Sequence, residues 1–183
     1  MNLSEERNFG ILIFISFIGC FLLGIAGGFV ASVLNSLFAA TIVWQLANMF
    51  YVVGCAMFSL KAASENRNIS ASGFILLSIG MTTFFSLQTT LTVDTESAYV
   101  SGGLILIPGL WLTAFYNKFP KWLRVMSVLA SLPRIIMIIN FYRHIPLERN
   151  GVLDGSGYIF PALTAVIWGW YAFNEQRIGR NKL

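Results

Sequence analysis

Apolar residues run in long blocks along almost the whole chain, and short polar segments separate the blocks. A transmembrane helix needs about 20 mostly apolar residues, and six blocks are predicted to be such helices: Phe9–Leu34, Ser36–Leu60, Ser72–Leu91, Ala98–Tyr116, Trp122–Tyr142 and Gly157–Phe173. Only 11% of the 183 residues are charged, whereas a soluble domain carries roughly 25%. The pattern predicts an all-α polytopic membrane protein, a six-transmembrane-helix bundle that forms one domain over residues 1–183.

Lysine and arginine are distributed unevenly between the two ends of these predicted helices. Loops on the cytoplasmic side of a membrane protein carry an excess of these residues. One side holds nine of them: Arg7, Lys61, Arg67, Lys118, Lys121, Arg124, Arg177, Arg180 and Lys182. The other side holds only Arg143 and Arg149. The split predicts that both termini are cytoplasmic and that the protein is a multi-pass protein of a cell membrane.

Small residues recur at every fourth position of the first predicted helix. They are Ser16, Cys20, Gly24, Gly28 and Ser32. Such a ridge lets two helix backbones approach closely in lipid. We interpret it as a helix-packing face, used either within the chain against the second helix or in self-association.

The fifth predicted helix contains Pro133 and Arg134 inside an apolar run. Proline removes a backbone donor, so it is expected to free the carbonyl near Leu129 and to kink the helix. A buried arginine faces the protein interior and needs acceptors. The candidates are acids in the predicted outer loops, amide oxygens of the second helix, the freed carbonyl or a bound anion. The acids and amides in question are Asp94, Glu96, Glu148, Asp154, Gln45 and Asn48.

Four helices place polar side chains at the same predicted depth, about eight residues from the outer side. These residues are Gln45, Thr83, Arg134 and Thr164, and Asn48 lies somewhat deeper. We expect them to form a ligand-binding polar pocket in the outer half of the bundle. The alternative for Gln45 and Asn48 is hydrogen bonding between helices, and the alternative for Arg134 is a purely structural role.

Several functional classes lack the residues they need. His144 is the single histidine and lies in a predicted loop, and no metal-binding or catalytic cluster is visible. No cofactor, metal or catalytic residue is therefore predicted. The basic residues lie at helix ends and form no cluster on a solvated face, which argues against nucleic-acid binding. The glycine-rich segment 153–157 is interpreted as a turn before the sixth helix.

The sequence leaves three kinds of function open. The first is binding of a small anionic or polar ligand, a lipid headgroup or a partner subunit around Arg134, without catalysis. The second is a small oligomeric transporter or channel for such a solute, and the third is a lipid-modifying enzyme. The run FPKWLRVMSVLASLPRI is similar to segments of bacterial multi-pass proteins, and this similarity implies a bacterial inner membrane but no functional residue.

The predicted orientation places Asp94 and Arg67 on opposite sides of the membrane. Single cysteines introduced at the two positions should react with an impermeant thiol reagent from opposite faces of sealed vesicles. Equal reactivity from one face would contradict the orientation.

Overall fold

The computed structural model describes residues 3–34, 36–88, 95–145 and 152–180. These residues form seven α-helices and no strand, so the all-α prediction is confirmed for the described part of the chain. The helices are α1 (Leu3–Val33), α2 (Leu37–Ser64), α3 (Asn68–Gln88), α4 (Thr95–Thr113), α5 (Lys121–Leu129), α6 (Leu132–Tyr142) and α7 (Val152–Arg180).

Several helices extend beyond the apolar blocks that predict them. Helix α1 already begins at Leu3 and α2 continues past Lys61 to Ser64. Hydropathy marks only the apolar part of a helix, whereas glutamate, lysine and alanine continue the helix readily in water. The turn after α2 passes through Asn66, whose φ of 60° lies in the left-handed region that asparagine tolerates. This turn brings α3 back alongside α2.

The fifth predicted helix is broken into two helices. Helix α5 ends at Leu129, and α6 begins at Leu132 with Pro133 in its first turn. Proline fits the first turn of a helix because the backbone N–H that it lacks has no partner there. The predicted kink is therefore a complete interruption, and it places Arg134 at the start of a new helix.

The prediction of a turn at residues 153–157 is wrong, because α7 begins at Val152. Glycine in a helix interior costs roughly 1 kcal/mol relative to alanine. Packing against α6 explains why the helix forms: a Cβ atom added to Gly157 would lie 3.2 Å from Nε of Arg134. The glycine leaves room for the guanidinium beside the α7 backbone.

The helices form a closed ring. Helix α1 packs on α2, α2 packs on α3, and α3 packs on α4. Helix α4 contacts both α5 and α6, both of these helices contact α7, and α7 packs on α1. The broken pair α5–α6 thus occupies one position of a six-position ring. Each position of the ring has two neighbouring positions, and α2 also touches α7 across the ring.

The outside of the ring is apolar on all seven helices. Exposed side chains include Leu22 at 59%, Phe38 at 79% and Trp170 at 52%. Three segments are long and apolar enough to cross a membrane: Asn8–Val33, Phe38–Ser64 and Lys121–Tyr142, which contains the break. Two shorter apolar helices cover Asn68–Thr83 and Val100–Thr113. Exposed apolar surface on all seven helices, together with three segments that could span a membrane, supports a membrane protein by composition and length.

The inside of the ring is filled by aromatic side chains. We call Phe58, Phe74, Phe119 and Trp168 the aromatic layer. The Phe58 and Phe74 rings stack at 4.3 Å, Phe74 meets Trp168 edge-on at 5.2 Å, and Phe119 stacks on Trp168 at 6.3 Å. All four side chains are buried. They come from α2, α3, the α4–α5 connection and α7, so the layer joins four parts of the ring.

The closest helix pairing depends on Gly73. A Cβ atom there would lie 2.7 Å from the backbone nitrogen of Thr113 and 2.9 Å from the carbonyl oxygen of Gly109, whereas one added to the exposed Gly28 would meet nothing within 4 Å. We expect Gly73→Ala to separate α3 from α4 and to destabilise the fold by about 1–3 kcal/mol.

Gly28→Ala is the matched control, because it adds the same atom in open space and removes a flexible residue from a helix. Thermal unfolding in detergent should show a lower melting temperature for Gly73→Ala only. Equal melting temperatures for the two variants would contradict the close packing.

Candidate functional site

Arg134 lies inside the ring, in the first turn of α6. The residue is 6% exposed, and its Nε donates a hydrogen bond to the Gly157 carbonyl oxygen at 3.2 Å. It also takes part in a further interaction. The predicted acidic partners cannot be placed: Asp94 and Glu148 lie outside the described residues, and the side chains of Glu96 and Asp154 are not among those described. Because its side chain is buried and bonds to the α7 backbone, Arg134 faces the protein interior, as a membrane-embedded arginine should.

Arg134 lines a small cavity enclosed by five of the helices. The other lining residues are almost all apolar: Tyr51, Leu77, Met81, Leu106, Leu110, Gly157, Tyr158, Pro161 and Ala162. The cavity volume is about 10 Å³, which is close to the space that a single water molecule needs. We call this space the Arg134 cavity. It lies near the middle of α2, since Tyr51 is 14 residues from Leu37 and 13 from Ser64.

Two buried polar atoms beside this cavity lack hydrogen-bond partners among the described residues. They are the hydroxyl of Tyr51 and Oδ1 of Asn48. Tyr51 is 1% exposed and Asn48 is 5% exposed. The polar group that interacts with the Tyr51 hydroxyl from its own helix is the Cys55 thiol, which is only a weak acceptor. A buried polar atom with only a weak partner is costly, so the Tyr51 hydroxyl, which belongs to a residue of the cavity wall, is a candidate for contact with a bound polar group.

Tyr51 is the functional candidate that sequence reasoning missed. It follows Asn48 by three residues and therefore lies on the same face of α2. Tyrosines at helix ends are typical interfacial residues, but Tyr51 lies at the centre of its helix, and that position is the signal that could have revealed it.

The structure brings only one of the five predicted ligand-binding residues to the cavity wall, and that residue is Arg134. Thr83 donates to the Ile79 carbonyl oxygen at 2.9 Å, and the buried Thr164 donates to that of Phe160 at 2.8 Å. Gln45 is half-buried and does not line the cavity. Hydroxyls on helices commonly bond to their own backbone in this way. Of the residues predicted at the same membrane depth, only Arg134 lines this cavity.

The predicted small-residue face of α1 divides into two parts. Ser16, Cys20 and Gly24 are buried. The Tyr158 hydroxyl of α7 donates to the Cys20 carbonyl oxygen at 3.3 Å, and Trp44 Nε1 of α2 donates to that of Gly24 at 3.3 Å. The remaining two members of the face, Gly28 and Ser32, are exposed.

Two tryptophans fix the break between α5 and α6. Trp111 Nε1 donates to Ser131 Oγ at 2.9 Å, and Trp168 Nε1 donates to Ser127 Oγ at 3.2 Å. Both indole donors are thereby satisfied inside apolar surroundings. The contacts hold the start of α6, and with it Arg134, at a fixed position relative to α4 and α7.

A second polar cluster closes the end of the ring where α2 finishes. Lys61 Nζ lies 2.7 Å from Glu65 and 2.8 Å from Glu175, and Lys118 Nζ lies 3.0 Å from Glu65 and also pairs with Glu175. We call these four residues the charge quartet. Their side chains are between 18% and 39% exposed. The quartet joins α2, the α4–α5 connection and α7.

Tyr116 extends the quartet towards the aromatic layer. Its hydroxyl donates to Glu65 Oε2 at 2.6 Å, and its ring lies 5.4 Å from that of Phe58. Burial and this hydrogen bond raise the pKa of Tyr116, so the phenol stays protonated and remains a donor. Burial alone would raise the pKa of Glu65, but the hydrogen bonds from Lys61, Tyr116 and Lys118 outweigh burial and hold this pKa below its ordinary value of 4.5.

Comparison with known proteins gives no relative. No protein-family model, no curated protein and no solved structure matches the chain. The functional argument therefore depends on the geometry of the two polar clusters.

The lowered pKa of Glu65 makes the stability of the fold dependent on pH. A carboxyl whose pKa is lower in the folded state contributes stability above its ordinary pKa, and this contribution is lost as the pH falls through the folded value. We expect the melting temperature of the wild type to fall more steeply than that of Glu65→Gln from about pH 7 to about pH 3.

Lys121→Gln alters a charge on the same face outside the quartet, so it should retain the steep dependence of the wild type. Parallel curves for wild type and Glu65→Gln would show that Glu65 is not held ionised by the quartet.

Proposed function

We propose that the protein is a six-span integral membrane protein that binds a small polar or anionic ligand in the Arg134 cavity. The observation that carries the proposal is the Tyr51 hydroxyl, which is fully buried, belongs to a residue of the cavity wall and has the Cys55 thiol, a weak acceptor, as its hydrogen-bonding neighbour among the described residues. Ligand sites are mostly apolar cavities with a few polar groups that orient the ligand. The surface of the Arg134 cavity is almost wholly apolar, and Arg134, Tyr51 and Tyr158 are the residues of its wall that carry polar side-chain groups.

The chemistry of the lining defines the ligand. Arg134 carries a positive charge and only donors, and a phenol hydroxyl donates as well as accepts. A ligand atom that accepts hydrogen bonds from both side chains supplies the partner that Tyr51 lacks. Because the space holds about one water-sized group, the occupant is a monatomic anion or one oxygen of a larger polar ligand, such as a lipid headgroup.

Asn48 adds a complementary requirement. Its Oδ1 atom is buried and accepts no hydrogen bond from the described residues. Asn48 does not line the cavity, so we expect a water molecule that accompanies the ligand to bridge to this oxygen. This requirement favours a hydrated ligand over a purely apolar one.

The proposed topology has both termini in the cytoplasm and places the charge quartet at the cytoplasmic end. The exposed apolar surface on all seven helices supports six spans, with α5 and α6 together forming one of them. The uneven distribution of lysine and arginine supports the orientation. On this topology the cavity lies near the middle of the membrane.

Transport of the same ligand is the second candidate. The observation that favours it is the position of the cavity inside the closed ring, where it is lined by α2, α3, α4, α6 and α7. A binding site at mid-membrane depth is typical of transporters. The solute would be anionic or polar, as for simple binding.

Tyr51→Phe tests the proposal without changing the shape of the cavity. Bromide and inorganic phosphate serve as probes, because each presents an acceptor to Arg134. Any ligand that binds the folded state raises the melting temperature with its concentration. We expect at least one probe to stabilise the wild type relative to gluconate at equal ionic strength, and Tyr51→Phe and Arg134→Gln to lose this effect.

Tyr142→Phe is the matched control, because it removes the same hydroxyl from a residue that is 67% exposed. It should retain the stabilisation by the probe. Equal stabilisation of Tyr51→Phe and wild type would contradict the site, and flux of the stabilising probe into proteoliposomes would distinguish transport from binding alone.

A further inference from the structure

The charge quartet closes the ring on the side of the aromatic layer that faces away from the Arg134 cavity. Each lysine contacts both glutamates, so the four side chains form a cycle of ion pairs. Lys61 belongs to α2 and Glu65 is the C-cap residue of that helix, while Lys118 lies in the α4–α5 connection and Glu175 in α7. Loss of one member therefore weakens the link between α2 and the other two elements.

A continuous column of side chains leads from the quartet to the cavity. Tyr116 contacts Glu65 through its hydroxyl and Phe119 through its ring, at 4.7 Å. The aromatic layer follows, and beyond it the Phe17 ring lies 6.3 Å from Trp168 and 5.9 Å from Tyr51. Tyr51 then forms part of the cavity wall.

We propose that the charge quartet is the cytoplasmic gate of the Arg134 cavity. Opening the ion pairs releases Tyr116 and Phe119 from the end of the ring and gives water and solutes access to the cavity from that side. The gate controls access to the ligand site proposed above, so its function depends on that proposal.

The partly exposed ion pairs of the charge quartet suit a gate that opens better than a permanent link between helices. Ion pairs that are partly exposed contribute little net stability, typically below about 1 kcal/mol each. An apolar seal at this place would need a larger change to open. The groups that face the cluster are its own four members, the Tyr116 phenol, and Arg67 at the α2–α3 turn, which interacts electrostatically with Tyr116.

The two native cysteines report separately on the two sides of the column. Both are free and buried. Phe17 of α1 lies against Tyr51 of α2, and Gly24 against Trp44, so Cys20 lies level with residue 48. Cys55 is seven residues further along α2, about 10 Å closer to the quartet. An open gate therefore exposes Cys55 first.

Lys118→Gln and Lys121→Gln form a matched pair for the test. Both remove one positive charge from exposed residues at the same end, but only Lys118 belongs to the quartet. Labelling by a small impermeant methanethiosulfonate is measured in inside-out vesicles, on Cys55 in a Cys20→Ala background and on Cys20 in a Cys55→Ala background. The assay needs no ligand, so it tests the gate separately from the binding site.

We expect Lys118→Gln to accelerate the labelling of Cys55 about fivefold, which is the size expected for the loss of partly exposed ion pairs. The double variant Glu65→Gln/Glu175→Gln should accelerate this labelling further. Labelling of Cys20 should accelerate less than that of Cys55, because the Cys20 thiol lies deeper, 3.4 Å from the hydroxyl of the cavity-wall residue Tyr158. Both cysteines should keep the wild-type rate in Lys121→Gln. Equal acceleration at both cysteines would show general loosening of the bundle and would overturn the gate. Unchanged labelling of Cys55 in both quartet variants would also overturn it. Selective exposure of Cys55 without any effect of Tyr51→Phe on ligand binding would leave the gate standing and remove the proposed site.

Discussion

A charged guanidinium inside a bilayer must be enclosed by protein, and the structure meets this constraint at Arg134, which lies in one of the three segments long and apolar enough to cross a membrane. Placing an arginine at the centre of a membrane helix costs a few kcal/mol on insertion scales. Here α6 carries Arg134 on its inner side, α7 offers a carbonyl oxygen at Gly157, and the closed ring keeps lipid away. The glycine at position 157 and the restart of the helix at Pro133 are both needed for this arrangement. Apolar residues outside the ring then meet lipid, with no hydrophobic penalty.

Helices in lipid gain little from hydrophobic burial against each other, so packing and polar contacts must hold them together. The inside of the ring supplies both kinds of contact. The aromatic layer provides van der Waals contact among α2, α3 and α7, and the tryptophan-to-serine hydrogen bonds fix the break between α5 and α6. The charge quartet joins the same elements at one end, where water still reaches the side chains. These interactions help to hold Tyr51 and Arg134 in the wall of one cavity.

The sequence predicts the parts of this architecture that depend on local chemistry. Uninterrupted apolar blocks predict the helices, and Pro133 predicts a kink where the structure has the break between α5 and α6. The free-energy cost of a buried charge predicts that Arg134 faces the protein interior. Thr83 and Thr164, predicted to lie at the depth of Arg134, do not line the Arg134 cavity, and each hydroxyl bonds to its own helix backbone. The turn predicted at residues 153–157 fails because helix packing overrides the low helix propensity of glycine.

The pairings that could not be predicted join residues far apart in the chain. Tyr116 and Glu65 are separated by 51 positions, and only the fold brings them together. The spacing of four residues between Lys61 and Glu65 is visible in the sequence, but it does not indicate Lys118 and Glu175 as further partners. Tyr51 was overlooked because a tyrosine within an apolar block has the same pattern as a packing residue. Its position at the centre of an apolar block is visible in the sequence, but the burial of its hydroxyl in a residue of the Arg134 cavity wall is visible only in three dimensions.

The central claim is that the Arg134 cavity holds a ligand atom between Arg134 and Tyr51. An anomalous difference map from crystals of the purified protein grown in bromide tests it directly. The account predicts one peak inside the ring, within hydrogen-bonding distance of the Arg134 guanidinium and the Tyr51 hydroxyl, with phosphate or lipid density at the same position when bromide is omitted. A cavity that is empty, or that holds only a water molecule that bromide does not replace, would contradict the account.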